Sequence, residues 1–164
     1  MMDRTPRGDR WTVRRAETSD AAVLADLVRL AFSTQSRPTT PPPGALKETP
    51  ATISEHLGRG GGAVVEEDRA IIGAVFWNEE EDGLYVGRLS VHPERRRRGI
   101  AGALMAEAAL EARRRGLPSV RLGVRLTLED NRRFFASCGF VETTLHRHEG
   151  FSESTWVMME RRLD

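Results

Sequence analysis

Residues 89–102 limit the folds open to this chain more than any other segment: a strand-like stretch leads through four consecutive arginines and a glycine into the strongest helical pattern of the sequence. Leu89, Ser90 and Val91 close a β-like run, and His92-Pro93 sits at its turn. Beyond Arg95, Arg96, Arg97, Arg98 and Gly99, the residues Ile100, Leu104, Ala108 and Ala112 recur at every fourth position, which predicts a helix whose small apolar stripe packs closely on a sheet. Gly116 and Pro118 stop it. The first amides of a helix have no partners and the helix dipole adds positive potential there, so a strand, a basic loop and a helix start together make a seat for phosphate or pyrophosphate. A charged hydrogen bond contributes about 1.5–3 kcal/mol and a helix terminus about 0.3–1 kcal/mol, so several together approach the roughly 8 kcal/mol of a micromolar site. The plain alternative for the same run is a solvated turn whose glycine reverses the chain.

The remaining sequence supplies the frame. With 164 residues, 39% of them hydrophobic and 30% charged, the chain suits one domain with one core. The expected division is a flexible tail over residues 1–10 and a single domain over residues 11–164. Residues 11–15 read as a strand, and Thr18-Ser19-Asp20 is expected to cap a helix that carries Leu24, Leu27, Val28 and Ala31 and ends near Phe32. Residues 33–50 contain five prolines and read as a loop, of the length used for binding or for a disordered connection. A short helix over residues 51–57 follows, then strands over residues 63–65 and 70–77 joined at Glu67-Asp68, a polar turn over residues 79–83, and a strand over residues 84–91. After the long helix, Val120, Leu122, Val124 and Leu126 alternate as in a strand, residues 131–137 form a short helix ended at Gly139, and residues 140–146 and 154–161 give two more β-like runs. The order is mixed α/β.

Charge and cysteine usage exclude several classes. Lys plus Arg total 25 and Asp plus Glu 24, so the net +1 creates no field that would draw in nucleic acid or a membrane surface. Cys138 is the single cysteine, which rules out an internal disulfide and a Cys-rich metal site; no metal is expected. No apolar run approaches the roughly 20 residues of a membrane span and the N-terminus is polar, so a cytoplasmic location is expected.

Arg96-Arg97-Arg98-Gly99-Ile100-Ala101 fits the pattern Gln or Arg, two residues of any kind, Gly, any residue, then Gly or Ala. That pattern resembles the signature of the GNAT superfamily of acyl-CoA-dependent N-acyltransferases. The preceding residues Leu89 to Pro93 are similar to the family's fourth strand and its exit, and Asn131 with Phe135-Ala136-Ser137-Cys138-Gly139-Phe140 resembles a later segment, so the likeness spans residues 12–161. It implies a mixed, mainly antiparallel central sheet flanked by helices and splayed beside a bulge in the fourth strand, with acetyl-CoA as cosubstrate in the opening. It also implies the reaction: an acyl group, usually acetyl, passes from acyl-CoA to a primary amine by direct attack in a ternary complex. On this basis Leu89, Ser90 and Val91 lie along the pantetheine, the backbones of Leu89 and Val91 pair with it, and the Val91 amide stabilises the oxyanion. Amides from Arg96, Arg97, Arg98, Gly99, Ile100 and Ala101 through Gly102 hold the pyrophosphate, with the side chains of Arg96 and Arg98 as helpers. Asn131 meets the pantetheine, and Phe134 or Phe135 lines its channel.

One position departs from the family. Many members carry a Tyr where Phe135 stands, and Phe has no proton for the departing thiolate, which leaves water, Ser137, Cys138 or unassisted departure. Glu66, Glu79, Glu80, Glu81, Tyr85, His148 and Glu149 are candidates for the base that deprotonates the amine, each also readable as a surface residue. Tyr85 and Glu79 are favoured because they flank the strand that presents the thioester. Two other readings compete: a non-catalytic acyl-CoA sensor, suggested by Phe135, and an RNA-binding protein using the arginine clusters, which lacks the aromatic platforms such binding needs. The expected acceptor is a small-molecule or protein amine, its choice shaped by residues 33–50 and the turn near Phe151. A homodimer is compatible with such a domain, though no sequence feature demands one.

Overall fold

The computed structural model describes residues 10–164, so residues 1–9 of the expected tail lie outside the described residues. Seven strands, β1 (Trp11–Arg15), β2 (Gly62–Glu67), β3 (Ala70–Glu80), β4 (Gly83–Val91), β5 (Ser119–Arg125), β6 (Val141–His146) and β7 (Trp156–Arg162), form one sheet in the order β1-β2-β3-β4-β5-β7-β6. Four helices, α1 (Ala21–Ser33), α2 (Pro50–Arg59), α3 (Ile100–Arg114) and α4 (Glu129–Ser137), flank it. Neighbouring strands are antiparallel except β4 and β5, which are parallel because α3 carries the chain across between them. Those two strands pair only through Leu84 with Val120 and Tyr85 with Arg121, and then part. The expected mixed, mainly antiparallel sheet, splayed at its fourth strand, is the observed one.

A bulge drives the splay. Phe76 pairs with Gly87 and Ala74 with Ser90, so the single residue Val75 of β3 faces both Arg88 and Leu89 of β4. Arg88 takes up the extra length with a left-handed φ of 53°, and an inserted residue of this kind bends and twists its strand.

Strand alternation divides the core into two layers. On one face α3 lays Ile100, Leu104, Ala108 and Ala112, all buried, against Val75, Leu84, Val120 and Leu122. On the other, Leu24, Leu27, Val28 and Ala31 of α1 pack with Ile53 of α2 and with Val64, Ala74 and Phe76 of the sheet. Both apolar stripes expected from the sequence are therefore core.

Three local expectations change. The turn expected over residues 79–83 shrinks, because β3 stays paired through Glu79 with Leu84 and Glu80 with Gly83. Asp20 does not cap α1; its carboxylate instead accepts from the Glu17 amide at 2.8 Å and from Arg14 at 2.9 Å. Pro50 opens α2 rather than ending the loop, since a first-turn position needs no amide donor, and Thr49 caps that helix through the Thr52 amide at 3.2 Å.

The last turns of α3 are tied to the rest of the fold by one carboxylate. Glu111, its side chain 5% exposed, accepts from Arg15 at 2.7 Å, Arg115 at 2.8 Å and Arg114 at 3.0 Å. Burial works against its ionisation, but Arg115, Arg114 and Arg15 outweigh it and hold the carboxyl below its ordinary value. Replacing Glu111 with Gln is expected to cost about 3 kcal/mol of unfolding free energy at neutral pH, read from urea titration. Because the folded-state value is depressed, this difference is fully present above the unfolded-state value of about 4.3 and closes as pH falls through the folded-state value.

Candidate functional site

Where β4 and β5 part, a cleft of about 1090 Å³ runs through the sheet. Ala101 and Met105 of α3 and Asn131 and Phe134 of α4 wall it on one face, and Phe32 of α1, His56 of α2 and part of the proline-rich loop wall it on the other. The register decides what β4 offers to the gap. His92 donates its amide to the Ile72 carbonyl at 2.8 Å, which makes Gly73 and Val91 a non-hydrogen-bonded pair. The amide and carbonyl of Val91 therefore face away from β3, toward the missing partner strand.

The arginine run divides its labour. Arg95 donates to Glu67 at 3.0 Å and Arg98 to the same carboxylate at 3.2 Å, at the end of β2. Arg98 first and then Arg95 hold Glu67 below the usual carboxylate range, against the opposing pull of burial. Arg96 closes the C-terminus of α1, donating to the carbonyls of Ala31 and Thr34, both at 3.2 Å, and to the Thr34 hydroxyl at 2.9 Å. Arg96 and Arg98, expected as side-chain helpers for a phosphate, are thus engaged with the protein itself. Among the described residues Arg97 is the one arginine of the run whose side chain makes no hydrogen bond or ion pair; it is exposed and left-handed, with φ 65°.

What the clamped loop presents is backbone. Gly99, at φ 79°, starts α3 in a conformation that side chains rarely adopt, and a Cβ added there would meet no protein atom within 4 Å. Its carbonyl accepts the Ala103 amide at 3.0 Å, so the amides of Ile100, Ala101 and Gly102 precede the helical ladder. Ile100 contributes backbone alone, since its side chain is core. Ser90 is likewise buried, and its hydroxyl donates to the Arg88 carbonyl at 2.8 Å inside the bulge.

Of the two residues favoured for catalysis, Tyr85 lines the cleft and Glu79 does not. Tyr85 pairs with Asn78, whereas Glu79 pairs with Leu84, and alternation sends Glu79 to the α3 face, where it is 3.6 Å from Arg115. Across the gap the Tyr85 hydroxyl approaches Gly123 of β5: a Cβ there would stand 3.2 Å from that oxygen and 3.1 Å from the ring of Trp156. Burial, then the charge of Glu80, pushes the Tyr85 phenol above its ordinary value. His148 of the β6–β7 loop also lines the cleft; burial, then the charge of Arg125, lowers its imidazole below its ordinary value. Among the described residues no group of three or more His, Cys, Asp or Glu side chains is placed to hold a metal.

Residues 59–142, just over half of the chain, match the family model described as an acetyltransferase (GNAT) domain. The chain belongs to the GNAT acetyltransferase family. Its fold is that of solved structures which include the PaiA N-acetyltransferase from Thermoplasma acidophilum in complex with coenzyme A, at 16% identity over 93% of this chain and 99% of that chain with a TM-score of 0.76. Ard1 from Thermoplasma volcanium superimposes at 21% identity over 94% and 98% of the two chains, TM-score 0.75. A GNAT family acetyltransferase from Elizabethkingia anophelis with acetyl-CoA bound does so at 15% identity over 94% and 99%, TM-score 0.72. No match was found among curated proteins.

Membership makes acyl transfer the general chemistry of this GNAT chain. Leu89, Val91, Arg96, Ala101, Asn131, Phe134 and Phe135 border its cleft, with Phe135 packed edge-on against Phe134 and Phe140 at centroid distances of 5.2 and 6.0 Å. The opposite wall, with Arg88, Arg125 and Trp156, escaped the sequence reading because its residues are scattered and no spacing links them. Arg88, the left-handed residue of the bulge, is pinned by Glu48, a carboxylate with a 5% exposed side chain that accepts its Nε at 3.2 Å and also meets His56 at 3.3 Å and Thr52 at 2.5 Å. Replacing Glu48 with Ala leaves the Arg88 charge without its anchor; we expect a loss of about 3–5 kcal/mol in urea titration, with faster amide hydrogen exchange across residues 87–91.

Proposed function

We propose that this chain moves an acetyl group from acetyl-CoA to an amine acceptor by direct attack of the amine within a ternary complex, residues 11–164 acting as a single domain in the cytoplasm. The observation that carries the reading is the Val91 amide, which faces the sheet opening at the point where the cleft meets the free amides of α3. The coenzyme A and acetyl-CoA of two structures that share the fold support the same choice of cosubstrate.

The residues present suit that cosubstrate. Backbone amides of residues 96–102, turned outward by the left-handed Arg97 and Gly99, receive the pyrophosphate, and the open space around Gly99 and Gly102 admits it. The exposed Arg97 side chain adds charge at this end. Leu89 and Val91 offer strand-type hydrogen bonds to the pantetheine amides, Asn131 faces the same arm, and Phe134 and Phe135 give it an apolar wall. When bound, acetyl-CoA supplies an activated carbonyl, and the Val91 amide stabilises the negative charge that develops on its oxygen. Tyr85, kept protonated by burial, can donate to the departing sulfur, the role for which Phe135 has no proton. His148, neutral at neutral pH, can take the proton that the acceptor ammonium must lose.

Calorimetric titration with acetyl-CoA and desulfo-CoA, followed by thiol release over a panel of amines, tests the reading. Saturable binding and amine-dependent thiol release are expected; binding without turnover on any amine favours the sensor reading. Gly99→Val should weaken CoA binding at least about tenfold, because a β-branched residue resists a left-handed φ by roughly 1–2 kcal/mol and the amides lose their aim. Tyr85→Phe should lower kcat about 100-fold with CoA affinity unchanged. Because only the neutral imidazole of His148 accepts a proton, kcat should be full above its pKa and fall as pH drops through a value below the ordinary 6.5; His148→Gln should remove that limb.

A further inference from the structure

We propose that the acceptor is an amine that carries a carboxylate, an amino acid in its simplest form, and that Arg125 is the residue that binds this carboxylate. The inference rests on the acyl-transfer reading and names its second substrate.

Arg125 ends β5 on the same face of the sheet as Gly123. Two residues along a strand advance the chain by about 7 Å, so Arg125 stands one short step from the point where the Tyr85 hydroxyl meets β5. Trp156 of β7 is its partner in register, and the proline-rich loop closes over it, with Nη1 donating to the Pro41 carbonyl at 2.5 Å. The phosphate-sized seat at Gly99 belongs to α3, on the other face of the sheet, so the two cationic regions serve different parts of the complex.

Among the described residues Arg96 and Arg125 are the cleft arginines without a carboxylate partner, and of these Arg96 is exposed whereas Arg125 is partly buried. Arg88 and His56 share Glu48, at 3.2 and 3.3 Å, and Arg96 is bound to the end of α1. Arg59 lies 3.8 Å from Glu55, and Asp130, the acidic member of the wall, is paired with Arg133. Among the described residues Arg125 has no ion pair, and its side chain donates to the Pro41 carbonyl. Burial lowers its pKa, yet a guanidinium cannot shed its proton in a protein. A desolvated charge of this kind lacks an anion, and the planar fork matches a carboxylate through two parallel hydrogen bonds. The aromatic surfaces of Trp156 and Phe32 in the same wall suit an apolar side chain on that acceptor. A polyamine or another multiply charged cation would be repelled by this wall.

The test is thiol release from acetyl-CoA with the common L-amino acids, each beside its carboxamide and its decarboxylated amine, and with spermidine. At least one amino acid is expected to exceed its carboxamide about 100-fold in kcat/KM, the scale of a bidentate charged hydrogen bond. Arg125→Gln should abolish that preference, and Arg125→Lys, which keeps the charge without the fork, should restore part of it. Unchanged calorimetric affinity for desulfo-CoA certifies that both variants are folded. Equal rates for acid and carboxamide, a preference that survives Arg125→Gln, or a faster reaction with spermidine overturns the proposal. If no acceptor reacts, the same amino acids are titrated into the desulfo-CoA complex. Saturable binding lost in Arg125→Gln would uphold the carboxylate site while acyl transfer fails, and no binding would overturn it.

Discussion

The parallel contact between β4 and β5 holds over two residue pairs and then gives way, and the rest of the site follows from where it stops. A strand that loses its neighbour leaves amides and carbonyls without partners, a cost that folded proteins avoid unless water or a ligand meets it. Here the unpaired edge belongs to Leu89 and Val91, and the bulge at Arg88 keeps it from closing. The opening is therefore held in part from within β4 itself. Glu48 and Ser90 hold the bulge from opposite sides, one through the Arg88 side chain and one through its carbonyl.

The arginine run shows how a charged motif can act through its backbone. Three of its four guanidiniums are consumed by the protein, two on Glu67 and one on the end of α1. These contacts link the loop to the last residue of β2 and the last turn of α1, so that the loop enters α3 at a fixed angle. A glycine at φ 79° completes the turn. A loop that relied on flexible cations would have to order them on binding; this one has its backbone ordered beforehand, which would reduce the entropy lost if the proposed pyrophosphate binds there.

Those same contacts explain what was legible in the sequence. The stripes on α1 and α3 repeat at helical spacing, the glycine and proline stops are local, and the Arg-x-x-Gly-x-Ala pattern is contiguous, so the mixed α/β order could be read directly and the family resemblance, with the splayed sheet it implies, followed from the pattern. Whether an arginine faces a ligand or a carboxylate 28 or 31 residues away is a tertiary fact, and for Arg95 and Arg98 periodicity carries no trace of it. Glu79 illustrates the same limit: it neighbours the correct strand, but the pairing of β3 with β4 extends far enough to assign it to the α3 face. The wall formed by Arg125, His148 and Trp156 assembles from β5, the β6–β7 loop and β7, which meet only because the last two strands invert their order in the sheet.

An unpaired cation in a partly buried wall is a liability for the free protein, and the fold could have neutralised it as it neutralised its neighbours. Glu48 does so for Arg88 and His56, and Glu111 for Arg15, Arg114 and Arg115. The chain thus has the means to bury guanidiniums safely, which makes the exception at Arg125 informative. Groups left unsatisfied by the fold tend to sit where a ligand completes them, because stability is conceded there in exchange for binding. Its nearness to His148 reinforces the point. The Arg125 charge is also the second influence, after burial, that lowers the His148 imidazole below its ordinary value.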